Sequence, residues 1–469
     1  MKDDHWLTIV IFAYDRPAIL ERTVRSLFAA LPDGVEILIS VNEKPSSIDS
    51  VMAVTDRLRR DLNVRVVRTG SRYPMTDHFN FAWKKVETPY FMLLGDDDGV
   101  AATFLNVAKG IIDVHGPSVV RCLQSYVVLE DLGEFFPEGC VLLPKNMTGE
   151  LSKVTALDEL RANCSNLSWS SNMFTVIPTE LVRGIERRCG RWCWGMSPDV
   201  TGGSLLLAEL ASRPDIQSWR LDSTATVTGQ SKHSNAASVL LGRKKGRAKE
   251  FSRELGEESL YPTWAPHRVS VEVSTDLLLM SELVNHYYPD LLRPVDQPDP
   301  SVFMPPLIAS AMPHQLACAY IESSRWWFFR PPPALLAIRE SIDRYGMMQT
   351  AKWVARALAI WSRRTSEVAK RSVKEWLKGS VPQSMRPRLL GALKLITHRD
   401  LQWQPYRGLG NWDSPNWTNV YLGSAADVAS MKWLNGISPE ILEAKEELSD
   451  TEQRRRDGGQ EVLENDVDR

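Results

Sequence analysis

Tyr90-Phe-Met-Leu-Leu-Gly-Asp-Asp-Asp-Gly99 sets an apolar run directly against three consecutive carboxylates. Tyr90 to Leu94 reads as a strand buried on both faces, as parallel sheets require, and Gly95 to Gly99 as the tight turn that ends it. Adjacent carboxylates repel one another, so such a turn is either an acidic loop open to solvent or a seat for a divalent cation with oxygen ligands. Mg²⁺ or Mn²⁺ held by one or two carboxylates completes its shell with water and substrate phosphates.

Upstream, the same alternation of strand and helix recurs. Trp6 to Ala13 is a near-continuous apolar run rich in β-branched residues, and it stops at Tyr14-Asp15-Arg16-Pro17. Leu20, Val24, Leu27, Phe28 and Leu31 then fall on one helical stripe opened by Pro17 and closed around Pro32-Asp33-Gly34. A strand over Val35 to Val41, a helix over Ile48 to Arg60, a strand over Val64 to Val67 and a helix over Asp77 to Val86 complete the series. This pattern predicts an α/β layer built on a mostly parallel sheet. Ligands of such sheets lie outside the carboxyl ends of the strands, which directs attention to Tyr14-Asp15-Arg16, Asn42-Glu43 and Asp96-Asp97-Asp98.

The order and spacing of these segments resemble a family 2 glycosyltransferase of the GT-A fold, in its bacterial surface-polysaccharide, abequosyltransferase-like branch. The resemblance spans roughly residues 6 to 240. It implies inverting transfer of a sugar from a nucleoside diphosphate donor to a glycan or lipid-linked acceptor, with Mn²⁺ or Mg²⁺ on the diphosphate. The resemblance makes Asp98 and either Asp96 or Asp97 the residues of the DxD motif, and places Ala13, Tyr14, Arg16 and Asn42 at the nucleoside. Asp77 and Asn80, in the segment before the acidic strand, are expected near the donor. A late histidine completes the metal shell in many such enzymes, and His233 stands in that place; Lys232 beside it suits a phosphate.

Displacement at an anomeric carbon needs a carboxylate to take the acceptor hydroxyl's proton. Asp199, in Trp192-Cys-Trp-Gly-Met-Ser-Pro-Asp199, matches the family's position for this base, although Pro198 stands where an acid usually precedes it. The same residues also spell an ordinary helix start, with Ser197 as N-cap and Pro198 at the first helical position. Trp192 and Trp194 suit either an acceptor sugar or the core.

The second half is less specific. A basic patch from Arg243 leads into a Pro-rich stretch, so the expected division is a transferase domain over 1–240, a connection over 241–313, a mainly helical domain over 314–445 and a charged tail over 446–469. Between residues 352 and 378 eight Lys or Arg face two Glu, with Trp353, Trp361 and Trp376 among them. Such a stretch fits either a helical domain or a peripheral contact with an anionic membrane.

The 469 residues are 43 % hydrophobic and 24 % charged, with a net charge of −2, which argues against disorder and against a nucleic-acid coat. Six cysteines without a C-x-x-C pair suit a reducing compartment, and an acidic start without an export signal points to the cytoplasm. The charge-free run Pro300 to Ile321 carries four prolines, which speaks against a membrane helix. No Walker loop, dinucleotide fingerprint, nucleophile elbow or zincin motif occurs. A sugar nucleotidyltransferase would open on a Gly-rich loop after the first strand, which Tyr14-Asp15-Arg16-Pro17 is not. The alternative from another class is a catalytically silent GT-A module that binds carbohydrate or acts as a scaffold.

Overall fold

The structure is a computed structural model that describes residues 5–128, 140–144, 147–166, 171–195, 197–230, 262, 264, 273–293, 296, 349, 352 and 417–421. The chain divides into two compact units, one of residues 1–263, 279–297 and 412–469, the other of 264–278 and 298–411. In the second unit the described residues are 264, in a turn, and 273–278, 349 and 352, which are helical. Residues 279–297, inside the stretch read from sequence as a connection, belong to the first unit.

The first unit opens on the expected alternation: β1 (Leu7–Ala13), α1 (Pro17–Phe28), β2 (Val35–Val41), α2 (Ile48–Leu62), β3 (Arg65–Arg68), α3 (Met75–Trp83) and β4 (Tyr90–Gly95). Leu7, Ile9, Val10 and Ile11 have no exposed surface, because β1 is covered on both faces, and each such side chain contributes about 1.5–3 kcal/mol. In α1, Leu20, Thr23, Val24 and Leu27 form the buried stripe. Then follow β5 (Gly99–Val100), α4 (Ala102–His115), β6 (Ser118–Val128), β7 (Cys140–Pro144), β8 (Leu151–Lys153), α5 (Ala156–Asn166), β9 (Ile177–Pro178), α6 (Thr179–Cys189), α7 (Pro198–Ala211), β10 (Gln217–Gln230), α8 (Val273–Tyr287) and β11 (Trp417–Tyr421).

The first sheet runs β3-β2-β1-β4-β9, parallel except for β9. The chain winds outward from β1 to β3 and then returns to place β4 on the other side of β1. The carboxyl ends of β1 and β4 therefore flank the point where strand order reverses, the usual ligand crevice of an open α/β sheet. The second sheet runs β11-β7-β6-β10-β5, with β8 on β10 and with β6 and β10 parallel. Strand β5, just after the acidic turn, pairs with Thr226 and Val227 of β10, and the Ala101 N–H donates to the Ala225 carbonyl at 2.8 Å. The acidic turn is thus stitched to both sheets. The described cysteines 122, 164, 189 and 193 are free thiols, and no helix among the described residues is long and apolar enough to cross a membrane.

Candidate active site

Burial puts the acidic turn under strong electrostatic pressure. Asp96, Asp97 and Asp98 are only 3, 6 and 4 % exposed, which is unlike a solvated acidic loop. Burial, joined by the charge of Asp97 and opposed by that of Arg16, lifts Asp96 to about 7. Burial and the charge of Asp97 hold Asp98 well above the usual carboxylate range, despite the backbone amides that face it. Those amides are Gly95 N–H, at 2.6 Å from Asp98 Oδ2, and Gly229 N–H, at 3.3 Å from Oδ1. Gly95 is required here because a Cβ would come within 2.9 Å of Asp98 Oδ2 and 3.1 Å of Asp97 Oδ1.

Arg16, expected at the nucleoside, spans the two other carboxylates. Its Nε and Nη2 donate to Asp96, the former at 3.3 Å, and Nη1 and Nη2 donate to Asp97, the latter at 3.0 Å. Burial works against the guanidinium's charge, but Asp96 and Asp97 outweigh it and hold its pKa above the ordinary value.

At the ends of β1 and β2, Asn42 N–H donates to the Ala13 carbonyl at 2.9 Å, and the Asn42 amide exchanges two 2.8 Å hydrogen bonds with the backbone of Tyr73. In the structure Asn42 therefore anchors the loop after β3. Lys44 Nζ stands 5.1 Å from the centre of the Tyr14 ring and 2.8 Å from Asp15 Oδ2, and the Arg72 guanidinium lies 5.5 Å from the same ring. Arg16, Lys44 and Arg72 thus gather positive charge at this end of the sheet. Only Arg16 of the three stands out in the sequence.

Helix α3 holds the loop before Asp199. Asn80 Nδ2 donates to the carbonyls of Thr76 and Cys193, both at 2.9 Å, while its Oδ1 accepts from Trp192 and Cys193 N–H at 3.1 and 3.0 Å. Thr76 Oγ1 donates to the Gly195 carbonyl, and Asp77 pairs with Arg191. Asp77 and Asn80, expected near the donor, thus tie α3 to the loop of residues 191–195.

The two tryptophans part company. Trp192 is fully buried, edge-on to Phe91 at 5.7 Å and Trp83 at 6.5 Å, and its Nε1 donates to the Gly202 carbonyl at 2.9 Å. The core reading holds for this residue: its ring has no face to offer a sugar. Trp194 is half-buried, with the Arg191 guanidinium 5.0 Å from its ring centre. Its Nε1, like Asn172 Oδ1, is buried without a hydrogen-bond partner, and both residues adjoin the start of α7.

That helix starts at Pro198 after Ser197, whose hydroxyl makes no capping bond. The Asp199 carboxylate faces the first backbone N–H groups, those of Asp199 and Val200, which pull its pKa down while burial raises it further. Helix start and candidate base therefore coincide. Asn172 N–H donates to the Asp199 carbonyl at 3.4 Å, and Phe174, two residues on, donates to the Leu93 carbonyl of β4 from a φ of +60°. A bulky residue in that region is a backbone outlier, and such strain gathers at functional seams.

Tyr126 of β6 lies within electrostatic reach of both Asp199 and Asp98; burial first, then these two charges, raise its phenol's pKa. Tyrosine within a Ser/Val-rich strand gave no sequence signal. Two further carboxylates, Glu209 and Asp222, are engaged elsewhere. Glu209 accepts from Tyr288 OH at 2.9 Å and pairs with Arg188 at 3.4 Å, and Asp222 accepts from Thr148. His233 and the stretch 353–378 lie outside the described residues.

Gly202 lets α7 approach this loop. A Cβ there would sit 2.3 Å from Asn172 Nδ2 and 2.8 Å from Cys193 Sγ. Gly202→Ala should destabilise the protein by about 1–3 kcal/mol, the usual effect of overpacking, measured by urea denaturation. An unchanged midpoint would contradict this packing.

His78 is fully buried, with Ser40 Oγ at 2.9 Å from its Nε2 and Phe12 edge-on at 5.1 Å. Burial, partly offset by Ser40, lowers its pKa from 6.5 to about 3, so the ring is neutral in the fold and takes a proton on unfolding. Its contribution is fully present above pH 6.5 and is lost as pH falls towards 3, by up to about 1.4 kcal/mol per unit. The difference in stability between wild type and His78→Gln should therefore vary with pH across that window; a difference independent of pH would refute a buried neutral His78.

Residues 8–138 match the family model for glycosyl transferase family 2. With the strand order and the turn after β4, this makes the first unit an α/β fold of the GT-A type. No curated protein sequence matches the chain. Among solved structures, Staphylococcus aureus TarS is 14 % identical with a TM-score of 0.38, covering 72 % of this chain, which spans about half (54 %) of that one. TarS 1–349 in complex with UDP-GlcNAc is 13 % identical with a TM-score of 0.41, covering 78 % of this chain and 91 % of its own.

Proposed function

We propose that the chain is an inverting glycosyltransferase that moves a sugar from a nucleoside diphosphate donor to a glycan or lipid-linked acceptor. The observation that carries this reading is the buried run Asp96-Asp97-Asp98 at the carboxyl end of β4, beside β1 where the strand order reverses and within the residues that the family model matches. A donor diphosphate at the ends of β1 and β2 would lie among Arg16, Lys44 and Arg72, with the nucleoside near Ala13, Tyr14 and Asn42. Asp199 would accept the proton of the acceptor hydroxyl as its oxygen bonds to the anomeric carbon and the bond to the diphosphate breaks. Trp194 would bear on the acceptor.

The acidic turn suits a hard divalent cation: it offers only carboxylate oxygens, and they are buried together with one guanidinium as counter-charge. Among the described residues no three His, Cys, Asp or Glu side chains are grouped to hold a metal unaided, in keeping with ions that draw on substrate phosphates and water. Asp98 and Asp96 would hold Mn²⁺ or Mg²⁺, with His233 as a further ligand. When bound, the cation supplies charge neutralisation to the leaving diphosphate. The basic stretch 352–378 would bring such an enzyme to an anionic membrane surface carrying lipid-linked acceptors.

The test is donor binding and turnover. Nucleotide sugars with different bases should be screened for Mn²⁺-dependent stabilisation, since a ligand of the native state raises apparent stability. Binding without turnover on any glycan or lipid-linked acceptor would favour the catalytically silent module.

A further inference from the structure

We propose that Arg16 is a built-in counter-ion that a divalent cation displaces from Asp96, and that the guanidinium so released then takes the donor's diphosphate. This rests on the glycosyltransferase reading and adds the exchange of charges by which cation and donor bind.

The placement argues for a replaceable partner. Arg16 follows β1 and precedes Pro17, so its backbone is set at the mouth of the crevice, while Asp96 and Asp97 follow the adjacent strand β4. The Arg16 side chain is 17 % exposed and covers carboxylates that are 4 and 8 % exposed. One guanidinium therefore forks over two carboxylates, and the third, Asp98, is met by the amides of Gly95 and Gly229. Formally, one positive charge faces three negative ones. A divalent cation offsets more of that charge, and hard carboxylate oxygens prefer it to a weakly hydrated guanidinium.

Displacement from Asp96 would leave Arg16 beside a cation with Asp97 as its remaining carboxylate. Its fork matches a diphosphate, which it can grip by two parallel hydrogen bonds. Arg72, beside Tyr14, adds positive charge on the same side, where Lys44 is paired with Asp15. Cation and nucleoside diphosphate should then each raise the affinity of the other, reciprocally and by the same factor.

Mn²⁺ binding to the full chain, followed by electron paramagnetic resonance with and without UDP or GDP, tests the proposal. Arg16→Gln removes the competing charge and should bind Mn²⁺ alone at least about 10-fold more tightly than wild type. The nucleotide should strengthen Mn²⁺ binding in both proteins, through the ion's own bonds to phosphate, and by a larger factor in wild type. A folded Arg16→Gln protein with wild-type or weaker Mn²⁺ affinity overturns the counter-ion role and leaves the transferase reading standing. Absence of Mn²⁺ binding to both proteins, with nucleotide or without, overturns the metal reading and this proposal with it. If Arg16→Gln fails to fold, Arg16→Lys serves under the same criteria, since a single ammonium cannot fork over both carboxylates.

Discussion

Asp199→Asn should lower turnover by about 10²- to 10⁴-fold, the usual effect of removing a general base, while fold and nucleotide affinity stay near wild type. The amide keeps the size of the carboxylate and an oxygen for the amides of Asp199 and Val200, so the start of α7 is preserved. What is lost is the capacity to accept a proton. Burial raises the Asp199 pKa, so wild-type turnover should climb with pH as this carboxyl ionises, and the variant should lack that limb. If Asp199 serves only the helix, the change costs about 0.3–1 kcal/mol of stability with activity unaltered. Turnover, its pH profile and the melting temperature of this one variant separate the two roles; wild-type turnover would remove Asp199 from the chemistry.

The second large effect concerns Asp98. Asp98→Ala would orphan the Gly95 and Gly229 amides, at about 1–3 kcal/mol each, and confound binding with stability. Asp98→Asn removes the charge and keeps an oxygen for one of these amides, so it disturbs the turn less than Asp98→Ala. Loss of a group outside a metal's coordination shell already weakens binding roughly 10- to 100-fold, and loss of a ligand carboxylate should weaken Mn²⁺-dependent nucleoside diphosphate binding at least as much. Calorimetry on wild type and Asp98→Asn, in Mn²⁺ and in excess chelator, measures it. Equal affinity under all four conditions would mean that Asp98 serves only the turn.

The parallel layer was legible because β1, β2 and β4 are largely apolar runs between amphipathic helices, and both periodicities survive in the primary sequence. The acidic turn was legible for the same reason, since it follows β4 without a gap. The second sheet was not. Strand β10 opens on Gln-Ser-Trp-Arg and continues through Thr-rich sequence with irregular register near Thr224, so neither alternation nor a buried run marks it. Its parallel partner β6 lies about a hundred residues earlier, beyond the reach of local pattern.

Within the site, residue type was readable but partner was not. Arg16 was expected at a nucleoside and lies on Asp96 and Asp97 across the switch point, a pairing fixed by strand order. Asn80 uses its amide on Thr76, Trp192 and Cys193, more than a hundred residues away for the latter two. Trp192 and Trp194 differ by two positions in a loop without periodicity, so only the packing of Phe91 and Trp83 tells which one is core.

The most direct measurement of the central claim is release of nucleoside diphosphate from a panel of UDP-, GDP-, CDP- and dTDP-sugars by the full chain, with Mn²⁺ and with chelator, in the presence of glycan and lipid-linked acceptors. The account predicts that at least one donor is consumed only with the divalent cation, that sugar appears on an acceptor, and that Asp199→Asn slows this transfer by about 10²- to 10⁴-fold while still binding the nucleotide. Failure of every donor to bind to or be consumed by the folded protein, with Mn²⁺ or Mg²⁺ supplied, would contradict it.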